Sequence, residues 1–388
     1  MDTFEQRLSE TSQFYQDGDL NLGFRRLIDC ALDTGNMDIF KSVLEFTDWR
    51  YNLSEEGAGS EEISKAIDLL EKINKAKAIY TDAPLKDIIK AEGISKKYKK
   101  GNFTLGPLDV SVSNSEMVGL VGENGNGKTT LLRLLGGELG LTSGTIEYNF
   151  PKSYKNQYEL RTRLVYIPQR INRLRGSLME NLQFTLSQHE IHGEENELMA
   201  LTLLARMGLW QYKKMDWGRL SSGYKMRFEL ARTLLRKPEV LLLDEPLANL
   251  DILAQQIILE DLRFLSGSLL NPFGVILSSQ QLYEVEKVSD KIIFLNEGRL
   301  VNQSNKQEKE EEAGSLIIEF DANITRDQLK ELFNQIGLEK LHFNGGNYIA
   351  YFPEGVNISE VMYLLGKEKV QVSYIRDISK SSRRFFID

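Results

Sequence analysis

Residues 117–135 read MVGLVGENGNGKTTLLRLL, and the fold turns on this stretch. The apolar run from Met117 to Val121 has the length and composition of a strand buried on both faces. It leads into Gly122-Glu123-Asn124-Gly125-Asn126-Gly127-Lys128-Thr129, which fits the pattern G-x-x-x-x-G-K-[ST], and Thr130 continues into an apolar helix. Strand, glycine-rich loop and helix in that order predict a phosphate-binding loop. The glycines let backbone N–H groups turn inward around phosphate oxygens without clashing Cβ atoms. The helix N-terminus adds its partial positive charge at the same point. Lys128 is then expected to reach the β and γ phosphates of a nucleotide, and the Thr129 hydroxyl to bind Mg²⁺.

A second segment, KPEVLLLDEPLANLD at 237–251, carries another buried strand, Val240 to Leu243, ending in Asp244-Glu245. Asp244 is suited to the Mg²⁺ shell, and Glu245 is placed to polarise an attacking water. An acidic pair after an apolar strand is common by itself. Following a phosphate loop 116 positions downstream (244 minus 128), it becomes the expected second half of a nucleotide hydrolysis site.

Together these residues resemble the ATP-binding-cassette (ABC) ATPases, over about residues 91–303, and in particular the nucleotide-binding subunits of exporter-type ABC transporters. The resemblance implies a P-loop α/β cassette and assigns further positions. Tyr98 matches the aromatic residue that stacks on adenine. Gln169, in VYIPQR, matches the glutamine that ligands Mg²⁺ and senses the γ phosphate. Leu220-Ser221-Ser222-Gly223-Tyr224 matches the family signature LSGGQ, and Ala248, Asn249, Leu250 and Asp251 match the loop crossing a dimer interface. The family's head-to-tail dimer presents Ser221, the Gly223 amide and the following helix N-terminus to the partner's γ phosphate, an anion site with a plain physical basis. Three positions depart from the pattern. Ser222 stands for a glycine and Tyr224 for a glutamine, and both substitutions leave the serine and central glycine in place. In VILSSQQLYEVE, Gln280 stands where the family has a histidine contacting the γ phosphate. Glutamine donates a hydrogen bond but carries no charge. Slow hydrolysis and simple replacement of one donor by another are both open.

Outward from this core, residues 1–88 read as a helical extension. Apolar residues recur at helical spacing in FRRLIDCALD and MDIFKSVLEF, with a turn at Asp33 to Asn36 between them. A third helix, SEEISKAIDLLEKINKAKAIY, is expected to start at Ser60 as its N-cap. The cassette is expected over 89–303, with a helical subdomain at about 170–220 and a solvated basic turn from Lys96 to Lys100. A charged linker follows at 304–313. Residues 314–388 alternate as β-α-β-β-α-β, with Gly337 closing the first helix, which predicts a ferredoxin-like α+β module. Near the end, Phe385-Phe386 is expected either to dock on a partner cassette or to pack within this module.

Composition excludes several classes. Charged residues make up 27% and hydrophobic residues 41%, as in ordinary globular chains. A net charge of -8 argues against nucleic acid as the main partner. No apolar run is long enough to span a bilayer, and the first residues do not form a secretory signal. Cys30, the single cysteine, fits a reducing cytosol and reads as a buried structural thiol. The resemblance implies as partners a second cassette, as homodimer or heterodimer, and separate permease subunits at the cytoplasmic face of a membrane. A soluble cassette ATPase of translation, repair or defence is the competing class, and a slow regulatory cassette a third.

Overall fold

In a computed structural model the described residues are 3–53, 58–78, 87–99, 101, 103–151, 154–305, 315–344, 346–379 and 381. The chain opens on α1 (Phe4–Gln16), α2 (Leu20–Thr34), α3 (Met37–Tyr51) and α4 (Ala58–Lys75). Their ends follow local chemistry. Thr3 and Gln6 form a reciprocal cap on α1, Asp19 caps α2, left-handed Gly35 ends it, and Asn36 caps α3. Helix α4 corrects one expectation. Ser60 lies inside its first turn rather than at its N-cap, because the helix has already begun at Ala58.

The central unit runs β1 (Asp87–Lys97), β2 (Thr104–Ser113), β3 (Met117–Val121), α5 (Lys128–Leu135), β4 (Ser143–Tyr148), α6 (Gln157–Arg163) and β5 (Leu164–Ile167). It continues with α7 (Leu178–Ser187), α8 (Gly193–Arg206), α9 (Ser222–Leu234), β6 (Val240–Leu243), α10 (Ile252–Ser266), β7 (Gly274–Ser279), α11 (Leu282–Val288), β8 (Lys291–Asn296) and β9 (Arg299–Asn305). One sheet has the order β5-β6-β7-β3-β8-β9, parallel from β5 through β8, with β9 antiparallel at the edge. A second, antiparallel sheet has the order β2-β1-β4. Helix α5 packs between them: Leu131, Leu132, Leu134 and Leu135 share a core with Ile89 and Val110 of the small sheet and Leu120 and Leu242 of the large one. Every residue of β3, β6 and β7 is buried, which explains the apolar runs of β3 and β6 and of the first part of β7.

Two boundaries differ from the sequence reading. Strand β1 begins at Asp87, ahead of the expected start at 89, and carries Lys96 and Lys97 opposite Leu105 and Thr104, so only the end of that basic run leaves the strand. Strand β9 reaches Asn305, taking Ser304 and Asn305 out of the expected linker; an edge strand tolerates polar residues because only one flank is paired. The rest of that linker, 306–313, lies outside the described residues, as do Lys100, Phe385 and Phe386.

The last unit forms an antiparallel sheet in the order β11-β12-β10-β13 (β10, Ser315–Ala322; β11, Lys340–Asn344; β12, Asn347–Glu354; β13, Val372–Asp377). Helices Arg326–Phe333 and Ile358–Lys367 cover one face and bury Phe320, Phe333 and Phe352 against it. That order is the ferredoxin-like one.

The N-terminal helices are joined to the central unit by a shared core that includes Ala205 and Trp210. They are also joined by buried charge. Arg206 of α8 is fully buried and bonds both Asp29 of α2 and Asp261 of α10, the latter at 2.9 Å. Arg25 reaches the same Asp261 at 3.1 Å. Nearby, Arg7 pairs with Asp33 at 3.0 Å and donates to the Gly267 carbonyl. Removing one member of such a cluster typically costs about 3–5 kcal/mol, because it strands a buried charge. Cys30 is fully buried here, and burial pushes its thiol pKa up to about 12. Among the described residues no helix is long and apolar enough to cross a membrane.

Candidate nucleotide site

The parallel strands end side by side. The register sets Ile167 of β5 beside Leu243 of β6, Leu243 beside Leu277 of β7, and Val121 of β3 beside Ser279. Functional groups just past those ends therefore meet at the carboxyl edge of the sheet, where open α/β sheets bind ligands. Gly127 opens α5 with φ 99°, and a Cβ there would lie 2.8 Å from Leu105 and 2.9 Å from Phe103, so glycine is required. No side chain caps α5, which leaves its first N–H groups for an anion.

The polar groups converge on this helix start. Lys128, 5% exposed, points its Nζ back over the loop: 2.6 Å from the Gly122 carbonyl, 3.2 Å from that of Glu123 and 3.0 Å from Glu245 Oε1. Thr129 Oγ1 donates to Asp244 Oδ2 at 2.8 Å. Asp244, 4% exposed, also accepts from Tyr166 Oη at 3.1 Å and from Ser278 Oγ at 2.9 Å. Ser278 Oγ also accepts from the Glu245 N–H at 2.8 Å, and Glu245 sits at φ 47°, a strained backbone for a residue with a Cβ. Burial and the neighbouring carboxylate hold the Tyr166 phenol protonated far above its usual range. Tyr166 and Ser278 were not singled out from the sequence. The detectable signal was the serine pair Ser278-Ser279 ending the otherwise apolar, fully buried strand β7.

A model of the family described as ABC transporter matches residues 105–248. An ABC transporter ATP-binding protein of Archaeoglobus fulgidus is 31% identical over 212 residues, covering 54% of this chain and 87% of that protein. This chain belongs to the ABC transporter ATP-binding family. Nod factor export ATP-binding protein I of Ralstonia nicotianae is 31% identical over 57% of this chain and 68% of its own length. Relatives named for import match at comparable identity. The solved structure of cbiO1 from Clostridium perfringens, part of the cbiONQ ABC transporter complex, superposes with a TM-score of 0.53 at 27% identity, over 58% of this chain and 92% of that one.

Within this cassette, the other positions named from the sequence fall around the same edge. Tyr98 follows β1 and its hydroxyl lies 3.2 Å from Thr130 Oγ1, so its half-exposed ring stands beside the loop. Glu123, Asn124 and Gly125 are exposed at the tip. The Asn126 side chain turns the other way, donating to the Leu295 carbonyl at 3.1 Å and accepting from Glu297 N–H at 3.1 Å, and thereby ties the loop to β8. Gln169 and Gln280 are both exposed, just past β5 and β7, on either side of Asp244 and Glu245 in the strand order.

The signature lies on the surface. Helix α9 begins at Ser222, inside the motif, with Ser221 as its N-cap accepting from Tyr224 N–H at 3.4 Å. Ser222 Oγ donates to the Asn249 carbonyl at 3.1 Å, which ties the signature to the Ala248–Asp251 loop. The Tyr224 side chain is partly buried. It turns inward against the Tyr212 ring, with 4.8 Å between centroids, because the third helical position faces the subdomain core. In the loop, Asn249 is left-handed at φ 63° and Asp251 caps α10 through Ala254 N–H at 2.9 Å.

Proposed function

We propose that this chain is the ATP-hydrolysing subunit of an exporter-type ABC transporter, working as a dimer with a second cassette and driving separate permease subunits at the cytoplasmic face of a membrane. The observation that carries the catalytic part is the meeting of Lys128, Thr129, Asp244 and Glu245 within about 3 Å contacts at the mouth of one phosphate loop. Their donors are hard oxygens, Thr129 Oγ1, Asp244 and the Gln169 amide carbonyl, a set that fits Mg²⁺. When bound, that ion neutralises phosphate charge.

The chain's own residues do the rest. On nucleotide binding, Lys128 Nζ exchanges the loop carbonyls and Glu245 for β and γ phosphate oxygens, and the α5 N-terminus and loop amides hold the same group. Glu245, released, orients a water and takes its proton as the oxygen attacks the γ phosphorus; the bond to the β-phosphate oxygen breaks, giving ADP and phosphate. Ser278 holds the Glu245 backbone and Asp244 in register. Tyr98 supplies a face for the adenine.

Dimerisation is supported by exposure. The first turn of α9 opens on the surface at Ser221 and Ser222, and Ile252 and Leu253, each 70% exposed, stand beside the Asn249–Asp251 loop. An apolar pair beside an anion-binding helix end suits a second copy carrying its own nucleotide. The export direction rests on similarity to a protein named for export, 31% identical, against 28% and 29% for relatives named for import.

The test is Glu245→Gln. It removes the proton acceptor while leaving the phosphate contacts, so MgATP should hold the variant as a dimer in sedimentation and MgADP should not. A monomer at saturating MgATP would sink the dimer reading.

A further inference from the structure

Helix α11, directly after Gln280, is too short to hold itself in place: two turns give few internal hydrogen bonds to offset the cost of ordering them. Val285, its fully buried residue, seats it on the sheet, with Leu282 and Val288 packed part-buried against the same core. The approach there is so close that a Cβ on Gly119 of β3 would lie 2.4 Å from Val285 Cγ1. So short a stripe fixes where the helix sits and leaves its outward face, with Tyr283 and Lys287 exposed, for other contacts to set the roll. On that outward face the added contacts come from the C-terminal module and from the helix itself. Arg376 of β13 lays its guanidinium 3.8 Å from the Tyr283 ring centroid, and Lys287 Nζ stands at 3.8 Å from the same ring. One turn on, Ser381 Oγ donates to Glu286 Oε2 at 2.7 Å.

Between module and phosphate loop there is space rather than packing. Gly122, Glu123, Gln280, Tyr283, Arg376 and Ser381 line one cavity of about 690 Å³. Through these contacts the module acts on the site by way of α11. We infer that Arg376, seconded by Ser381, is a positioning residue for Gln280: the C-terminal module fixes the roll of α11 and thereby sets how often the Gln280 amide is aimed at the γ phosphate. This rests on the hydrolytic reading of the site, and it gives the module a role in turnover without contact to nucleotide.

The test uses the full-length protein in two measurements. Without nucleotide, Arg376→Ala should speed hydrogen exchange of the α11 amides by about threefold, the size of one exposed cation–π contact, and leave β3 unchanged. In steady-state assays the same variant should lower kcat by about threefold with KM for ATP unchanged. Arg376→Lys should restore most of both, Tyr283→Phe should be silent, and Tyr283→Ala combined with Arg376→Ala should be no slower than either alone. Unchanged α11 exchange, additive losses in the double variant, or a raised KM with constant kcat would each overturn the inference. A parent protein that hydrolyses no ATP would instead overturn the hydrolytic reading, and exchange at α11 would still decide whether Arg376 fixes the helix.

Discussion

The phosphate loop and the signature turn are both helix N-termini, yet the structure treats them differently. Around α5 the buried charged groups have partners: Lys128 faces Glu245 at 3.0 Å, Thr129 bonds Asp244, and Asp244 holds two further hydroxyls. Around α9, Ser221 and Ser222 are exposed, and the sole tie across to the neighbouring loop that the described hydrogen bonds give is Ser222 to Asn249. A helix end with its N–H groups uncapped and paired charges gathered around it is prepared for a ligand held in its own pocket. A helix end that faces water is suited to a ligand delivered by another body. On the proposed function the difference is that between a chain's own nucleotide and its partner's.

The strongest way to break this contrast is Lys128→Ala. Losing a cation aimed at a polyanion should weaken ATP binding by about 2–5 kcal/mol in calorimetry, with or without dimerisation. Near-unchanged affinity would remove the phosphate loop from the account. Ser221→Ala should do the opposite. ATP affinity of the monomer stays as it was, while the ATP-driven dimer weakens by about 1.5–3 kcal/mol, the scale of one hydrogen bond to a charged group. A variant that loses monomer affinity equally would show that the two helix ends serve one pocket. The smallest effect is expected at Gln280→His. A charge-assisted donor in place of a neutral amide should raise the ATPase rate roughly tenfold, or about 1.4 kcal/mol, with affinity little changed. An unchanged or lower rate would mean that the site is adapted to glutamine.

How much of this was legible in the sequence depended on how locally each feature is encoded. The phosphate loop and the Asp244–Glu245 pair stand at fixed spacings beside buried strands, and the α/β arrangement followed from those runs. Tyr166 and Ser278 escaped because one is a single polar residue in an apolar strand and the other one of two serines ending an apolar strand, and only the fold brings them to Asp244. Ser60 misled because a serine before acidic residues reads as a cap wherever it falls, and the helix had an earlier start. Polar Ser304 and Asn305 read as linker because pairing to β8 leaves no mark on composition. The docking of the N-terminal helices was invisible for a related reason: Asp29, Arg206 and Asp261 carry no local pattern and meet only in the fold.

That last cluster has a consequence for how the protein is made. Arg7 is separated by 260 positions from Gly267, Arg25 by 236 from Asp261, and Asp29 by 177 from Arg206. During synthesis the first helices therefore leave the ribosome long before their charged partners exist. Phe24, Leu27 and Ile28 can begin a small core with α1, α3 and α4, but its remaining wall, Ala205 and Trp210, is still untranslated. The final docking waits until α10 has emerged, which ties the oldest part of the nascent chain to nearly the youngest part of the cassette. Extension and cassette should accordingly melt as one transition, and a chain halted before residue 261 should leave the N-terminal helices as a substrate for chaperones and proteases.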